Sequence, residues 1–443
     1  MTDKHNLYYQ SETLIPNPVL IKFSEENEKH EHYKHQTNYL ETLMHMLKSH
    51  IGPGIFAMGD AFKNSGMILG LTLLPILTLI CVHTEHILIN TARHVKETFN
   101  LKDNPDFATT VELCFGMGPK KLHDLAPYMK TTVNLFQCLT QLGCCSVYYV
   151  FISTNMQQVT SYSWCLHVHM AVILVPILLS CLIMNFKYLA PLSTIANGLT
   201  LSAVGITLYY CCQRPFADVD MVGNVQQLPL FFGTTLYAFE GIALILPLQN
   251  KMKKPQQFGV LFGILNVGML IIMVLFSLLG AFSYLKYGNT IEGSITLNLP
   301  KDAVLAQSVK GIISLGILLT FALQFYVPME IMYTLAQKRF EILEKVMGEI
   351  IFRTLFVLLT FTLAEIVPYL SLFISLVGAF CTTIIGLLIP PTLELILLQN
   401  TSKFRCLIIT KNCIIIIVGI LGCVTGSYVS IKFIVAAIRT EYY

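Results

Sequence analysis

Gly52-Pro53-Gly54 and Phe239-Glu240-Gly241 interrupt otherwise apolar stretches of this 443-residue chain, and they carry the residue types from which a polar site inside a membrane can be built. Glycine and proline weaken helical hydrogen bonding. Backbone groups freed inside lipid must be satisfied by protein, water or ligand. At the first interruption the amides from Gly54 through Ala57, Ile55 among them, would lie at the positive end of an outer half-helix and suit a carboxylate. Carbonyls left near Ser49 to Ile51, with those around Tyr237 to Phe239, suit an ammonium group. A free α-amino acid presents both charges on adjacent atoms. Ser49, Ile51, Gly52, Gly54, Ile55, Tyr237, Phe239 and Gly241 are therefore the expected substrate site.

Ionisable side chains within apolar spans are costly and read first as functional. His45 can exchange a proton across cellular pH. His50 stands next to the first break, and Glu240 lies inside the second, where it would take a proton or bond freed amides. These three are the expected proton-coupling residues. Asp60 and Glu365 lie toward outer ends of spans and Glu330 toward an inner end, which fits solvated or gate-pairing roles; Lys310 is expected to snorkel outward. An enzyme using His45, His50 and Asp60 is disfavoured, because a broken helix divides them and no nucleophile or cofactor motif accompanies them. No cofactor is expected beyond the proton as coupling ion.

The elements that must position these residues follow from composition. Charged residues are 12% of the chain and hydrophobic ones 54%, with mean hydropathy +0.63, which marks an integral membrane protein. A net charge of +3 gives no argument for nucleic acid as a partner. The thirteen cysteines show no CxxC pair, so neither a zinc site nor a disulfide framework is indicated. Runs long enough to cross the hydrocarbon core predict an all-α fold of eleven transmembrane helices. They fall near 39–63, 67–91, 126–152, 168–186, 189–212, 229–249, 257–286, 303–333, 350–367, 369–398 and 407–435.

The distribution of Lys and Arg places the N-terminus in the cytosol and, after an odd number of crossings, the C-terminus outside. Residues 1–37 read as a disordered cytosolic tail and 38–435 as the transporter domain. That domain divides into a first repeat (38–212), a second (229–398) and a peripheral eleventh helix (407–435), followed by a short extracytosolic end, 436–443. The stretch 96–125 reads as a cytosolic loop with a short amphipathic helix on the membrane surface. Asn400-Thr401-Ser402, the one N-glycosylation sequon, would face the cytosol unmodified. Five crossings separate span one from span six. The two halves are thus expected to form a five-plus-five inverted repeat, LeuT-like, with helices one and six discontinuous and substrate held between them near the midplane.

Several stretches, in order, resemble one family. They are Leu43-Met44-His45-Met46-Leu47-Lys48 with Ile51-Gly52-Pro53-Gly54, Ala61-Phe62-Lys63-Asn64-Ser65-Gly66, Phe232-Gly233-Thr234-Thr235-Leu236-Tyr237-Ala238-Phe239-Glu240-Gly241-Ile242, Leu246-Pro247-Leu248-Gln249-Asn250-Lys251-Met252, Tyr326-Val327-Pro328-Met329-Glu330-Ile331, and Ser375-Leu376-Val377-Gly378-Ala379-Phe380 leading to Pro390-Pro391. Over roughly residues 37–435 the chain resembles the proton-coupled amino acid transporters of the amino acid/auxin permease superfamily, in an invertebrate-type form. The resemblance implies symport of small neutral amino acids such as glycine, alanine and proline, a coupling histidine at His45, and residence in the plasma membrane or the lysosomal or late endosomal membrane, in contact with lipid. Tyr237, Phe239 and Phe325 would wall the substrate chamber.

The chain departs from the family where Gly52-Pro53-Gly54 replaces Gly-Thr-Gly, which removes one amide donor, and where His50 replaces a common Asn. Gln249 stands where family members often have Glu. The family's outer-loop disulfide has Cys165 for one partner but no cysteine over 287–300, leaving Cys211 or Cys212 as substitutes. Two other readings share the same site: an amino-acid sensor with little flux, and a sodium-coupled amino acid transporter using hydroxyls such as Ser314 and Thr320.

Overall fold

The computed structural model describes residues 37–182, 186–337, 346–398 and 405–442. Among the described residues the chain is all helical, with one isolated bridge at Thr37 and Met252. The helices are α1 (Tyr39–His50), α2 (Pro53–Phe56), α3 (Met58–Ser65), α4 (Met67–Thr98), α5 (Phe107–Met117), α6 (Lys120–His123), α7 (Ala126–Val159), α8 (Leu166–Cys181) and α9 (Phe186–Cys211). The second half holds α10 (Leu228–Ala238), α11 (Ile242–Lys251), α12 (Ile264–Tyr287), α13 (Val304–Gln337), α14 (Val346–Ile366), α15 (Leu370–Val377), α16 (Ile389–Leu397) and α17 (Arg405–Tyr442). Two π turns, Gly378–Thr382 and Ile384–Leu388, join α15 to α16.

Among the described residues eight helical stretches are long and apolar enough to cross a membrane: Met67–Thr98, Ala126–Val159, Leu228–Lys251, Ile264–Thr290, Val304–Gln337, Met347–Ile366, Leu370–Leu397 and Arg405–Arg439. The first predicted span is cut into three pieces, the fourth is met by a shorter helix, Leu166–Cys181, and the fifth by α9, Phe186–Cys211. Apolar side chains remain exposed along α8 and α17, for example Val172, Val175 and Leu179, and Ile417, Leu421 and Val424. In a membrane protein such faces meet lipid rather than water.

Local sequence explains several boundaries. At the start of α1 the amide of Asn38 donates to Glu41 Oε2 at 2.8 Å, one half of a capping box. At α5 the Asp106 carboxylate accepts from the Thr109 amide at 2.6 Å, a cap of about 1 kcal/mol. Pro75, Pro176, Pro247 and Pro328 sit inside helices, where each removes one backbone donor that neighbouring elements must offset. Small residues allow the closest crossing. A methyl group on Gly378 would lie 1.9 Å from the Gly233 carbonyl oxygen, so α10 and the first π turn touch backbone to backbone.

Three expectations are corrected. The helix within 96–125 is not an amphipathic one with an open polar face. Most of α5 is buried, Phe107, Val111, Cys114 and Phe115 included, and it packs against α7, α4 and α16; its apolar residues cover nearly the whole circumference. Lys310 does not snorkel: it is fully buried, and its Nζ has no hydrogen-bond partner among the described residues. Cys165 and Cys212 are exposed free thiols and Cys211 is buried against Ser283, 3.6 Å between Sγ and Oγ, so neither substitute disulfide forms. Beyond these, α17 runs from Arg405 to Tyr442 as one helix, past the end of the eleventh predicted span. Residues 1–36 and Asn400 lie outside the described residues, while Thr37, at the end of the expected tail, is paired with the end of α11.

Candidate functional site

Span one breaks between α1 and α2. Ile51 leaves the helical region (φ −88°, ψ 86°), Gly52 is extended, and Pro53 opens a single turn. The Ser49 hydroxyl donates to the Met46 carbonyl at 2.7 Å, and His50 Nδ1 lies 3.0 Å from the same oxygen and 3.0 Å from Ser49 Oγ. Both side chains thus fold back to close the end of α1. Of the amides expected to be free, those of Ile55 and Ala57 reach back to Gly52 and Gly54 carbonyls at 3.3 and 3.2 Å.

Span six breaks between α10 and α11, at Phe239, Glu240 and Gly241. The two breaks lie side by side. A methyl group on Gly54 would stand 2.9 Å from Ala238 Cα, and one on Gly241 would stand 2.4 Å from His50 Cε1. Glycine at 54 therefore permits contact between the two discontinuous backbones, and glycine at 241 makes room for the His50 imidazole.

Glu240 is buried and faces α7. Its Oε1 accepts from Gln141 Nε2 at 2.9 Å, and Cys144 Sγ lies 4.0 Å from Oε2. Gln324 of α13 also lies near this carboxylate, and Tyr237 near Cys144. The Tyr148 hydroxyl is 3.3 Å from where a Gly52 methyl would sit. Gln141, Cys144 and Tyr148 are spaced i, i+3, i+7 and so share one face of α7. That spacing was the signal in the sequence that could have found them.

The structure gathers Ser49, Ile51, Gly52, Gly54, Ile55, His50, Tyr237, Phe239, Glu240 and Gly241 at or beside the two breaks. It sets two residues apart. His45 is exposed, on a different face of α1 from buried His50. Phe325 is fully buried in α13 and stacks on Phe321, whose ring meets Tyr148 and Tyr149 edge-on. Phe239 packs on Phe276, ring centroids 5.2 Å apart.

Contacts above and below the breaks tie spans one and six into their surroundings. Toward the outer side predicted from sequence, Lys63 Nζ donates to the Ile291 carbonyl at 2.9 Å and pairs with Asp60 at 3.2 Å. Toward the inner side, the Thr37 amide donates to the Lys251 carbonyl at 2.8 Å and the Lys253 amide to the Thr37 carbonyl at 3.1 Å. Asn104 Nδ2 donates to Gln249 Oε1 at 3.0 Å, and Asn250 Nδ2 to the Asn104 carbonyl at 2.7 Å. Gln249 thus fills an uncharged bonding role. No group of three or more metal-ligating side chains occurs among the described residues.

Sequence reasoning passed over Glu85 of α4. It is 2% exposed, and its Oε2 has no hydrogen-bond partner among the described residues. An acidic residue within an apolar span was itself the signal.

The family model described as transmembrane amino acid transporter protein matches residues 35–432. The chain is 37% identical over 412 residues to the Drosophila melanogaster proton-coupled amino acid transporter-like protein pathetic, covering 91% of this chain and 86% of that one. It is 26% identical over 408 residues to the Caenorhabditis elegans probable amino acid transporter skat-1, covering 88% of each. Among solved structures, the manganese transporter of Eremococcus coleocola superposes with a TM-score of 0.49 at 11% identity, over 90% of this chain and 92% of that one.

Proposed function

Because the chain belongs to the transmembrane amino acid transporter family, we propose that this multi-pass integral membrane protein is a secondary carrier that symports small neutral amino acids with protons by alternating access. Eleven crossings would form the five-plus-five inverted repeat. Spans one and six would rock against a steadier scaffold, with the N-terminus in the cytosol. The membrane would be that of the cell surface or of a lysosomal or late endosomal compartment. The 37%-identical relative, named as proton-coupled amino acid transporter-like, supports the coupling ion.

The observation that carries this reading is the adjacency of the two breaks, Gly54 against Ala238 and His50 against Gly241. The α-carboxylate would meet amides at the start of α2 and the ammonium group the carbonyls that end α1 and α10. Tyr237 and Phe239 would limit side-chain size. Glu240, held by Gln141 beside the second break, carries the proton, with the His50 imidazole packed against Gly241 from the first break. His45 has the weaker position, being exposed on another face.

Reconstituted protein, a panel of labelled amino acids and an imposed pH gradient test this directly. Glycine, alanine or proline should accumulate on the alkaline side with sodium wholly replaced. Uptake that stops without sodium, or that ignores the pH gradient, overturns proton coupling.

A further inference from the structure

On the side of the second break away from Glu240, a small cavity of about 20 Å³ is lined by Glu85 and Thr84 of α4, Phe239, Ile242 at the start of α11, and Thr382 of the first π turn. Two of these residues have side-chain oxygens with no hydrogen-bond partner among the described residues, Glu85 Oε2 and Thr382 Oγ1. The volume suits one water, which needs roughly 10–15 Å³ and two to four polar partners. Glu85 is the sole charged residue lining the cavity, and Cys81, one turn back on α4, is its other titratable group.

The surroundings offer Glu85 no counter-charge. From α10 and α11 it is faced by Leu236, Phe239 and Ile242, and from the π turns by Thr382, Gly386 and Leu387. Charged groups on the other helices packed against α4 are engaged elsewhere: Asp60 with Lys63, Glu112 of α5 with Lys130, Glu394 of α16 with Lys411. Lys286 of α12 bonds the carbonyls of Gln213 and Pro215, and Lys251 stands at the opposite end of α11 from Ile242. His86 is held by Asn266 of α12, 2.8 Å from Nε2 to Oδ1. His83 is the residue of α4 within range of Glu394 and Lys411. An ionised carboxylate buried without a partner is strongly unfavourable. A metal ion is a poor remedy, because it asks for several oxygens and the side chains lining the cavity offer one carboxyl, Glu85, and two hydroxyls, Thr84 and Thr382. A proton is the cation that one carboxyl, one hydroxyl and one water can hold.

We propose that Glu85 is a second proton-carrying carboxyl of the transport cycle, protonated while the second break packs against it and deprotonated when that contact opens to water. The inference rests on the proton-coupled reading above. The proton adds to a carboxylate oxygen and gives a neutral acid whose O–H is donated to Thr382 Oγ1 or to a cavity water. On opening, it passes to water as hydronium and leaves a hydrated carboxylate. The second break then has one proton-carrying carboxyl on each flank, and each reports whether the break is packed.

The test uses the full chain in proteoliposomes, wild type beside Glu85→Gln, with labelled alanine. One proton fewer per cycle lowers steady accumulation about tenfold for each unit of imposed pH gradient. Exchange of labelled for unlabelled alanine without a gradient should stay within about twofold. Accumulation equal to wild type overturns the proposal, as does loss of exchange together with accumulation. If wild type itself shows no gradient-driven accumulation, the proton-coupled reading falls, and this inference with it. Should Glu85→Gln fail to reach the membrane, wild-type protein carries the test through dicyclohexylcarbodiimide, which modifies protonated carboxyls in apolar surroundings. Mass spectrometry should find the adduct on Glu85, fading as pH rises; no adduct, or a pH-independent one, refutes the assignment.

Discussion

Replacing Gly54 by alanine tests the contact on which the proposed site depends. The added methyl carbon would lie 2.9 Å from Ala238 Cα, 3.0 Å from Ala238 Cβ and 3.3 Å from Tyr237 Cδ1. Carbon atoms rest at about 3.5–4.0 Å, so the two broken spans must separate by roughly half an ångström or more. The nearest obstacle is backbone rather than the tip of a flexible side chain, and α2 cannot rotate away without unseating Pro53. Overpacking of this kind costs about 1–3 kcal/mol, which disfavours the state with both breaks in contact by about 5- to 150-fold. Equilibrium binding of labelled alanine to purified protein should weaken within that range, and the melting midpoint should fall. Gly52→Ala is the internal control for the fold. Its methyl would meet Tyr148 Oη alone, at 3.3 Å, and Gly52 is extended, a conformation any residue adopts. Its melting midpoint should match wild type whatever its effect on substrate. If Gly54→Ala binds and melts like wild type, or if both variants lose the same stability, the two breaks are not in contact in the working protein.

Glu240→Gln keeps the shape of the side chain but cannot ionise. It should retain amino acid exchange while the stimulation of uptake by an acid exterior weakens, whereas Glu240→Ala leaves the Gln141 amide unpaired, costs about 1–3 kcal/mol and should lower the melting midpoint as well. Lys63→Met removes the bonds to the Ile291 carbonyl and Asp60, so a cysteine introduced in the outer half of span one should react faster with an impermeant maleimide; an unchanged rate would mean that these contacts do not close the outer side. Gly378→Ala drives a methyl to 1.9 Å from the Gly233 carbonyl oxygen and 2.6 Å from the Tyr237 amide nitrogen. It should prevent a stable protein from accumulating in the membrane, and a variant that expresses and melts normally would refute the backbone crossing described for α10.

Much of the helical layout was legible because the cost of exposing backbone to lipid forces long uninterrupted apolar runs, and breaks in such runs stand out. Gly52-Pro53-Gly54 and Phe239-Glu240-Gly241 were visible for that reason, and the helices do stop there. The burial of the helix at Phe107–Met117 is not legible in the sequence, because the groove that receives it is formed by α4, α7 and α16, partly from distant parts of the chain. The position of Lys310 toward one end of a span suggests a route to water, yet in the folded chain the residue is fully enclosed.

The chain alone determined that this is a membrane protein of interrupted helices carrying buried ionisable groups, since hydropathy and helix-breaking residues act locally and need no partner to be read. Tertiary structure decided which of those groups meet. It turned His50 rather than His45 toward the second break, set Gln141 against Glu240, and enclosed Glu85 beside Thr382. Those pairings join residues up to about three hundred positions apart, and they depend on helix rotation and on close approach at glycines, which composition and spacing along one strand of sequence do not encode.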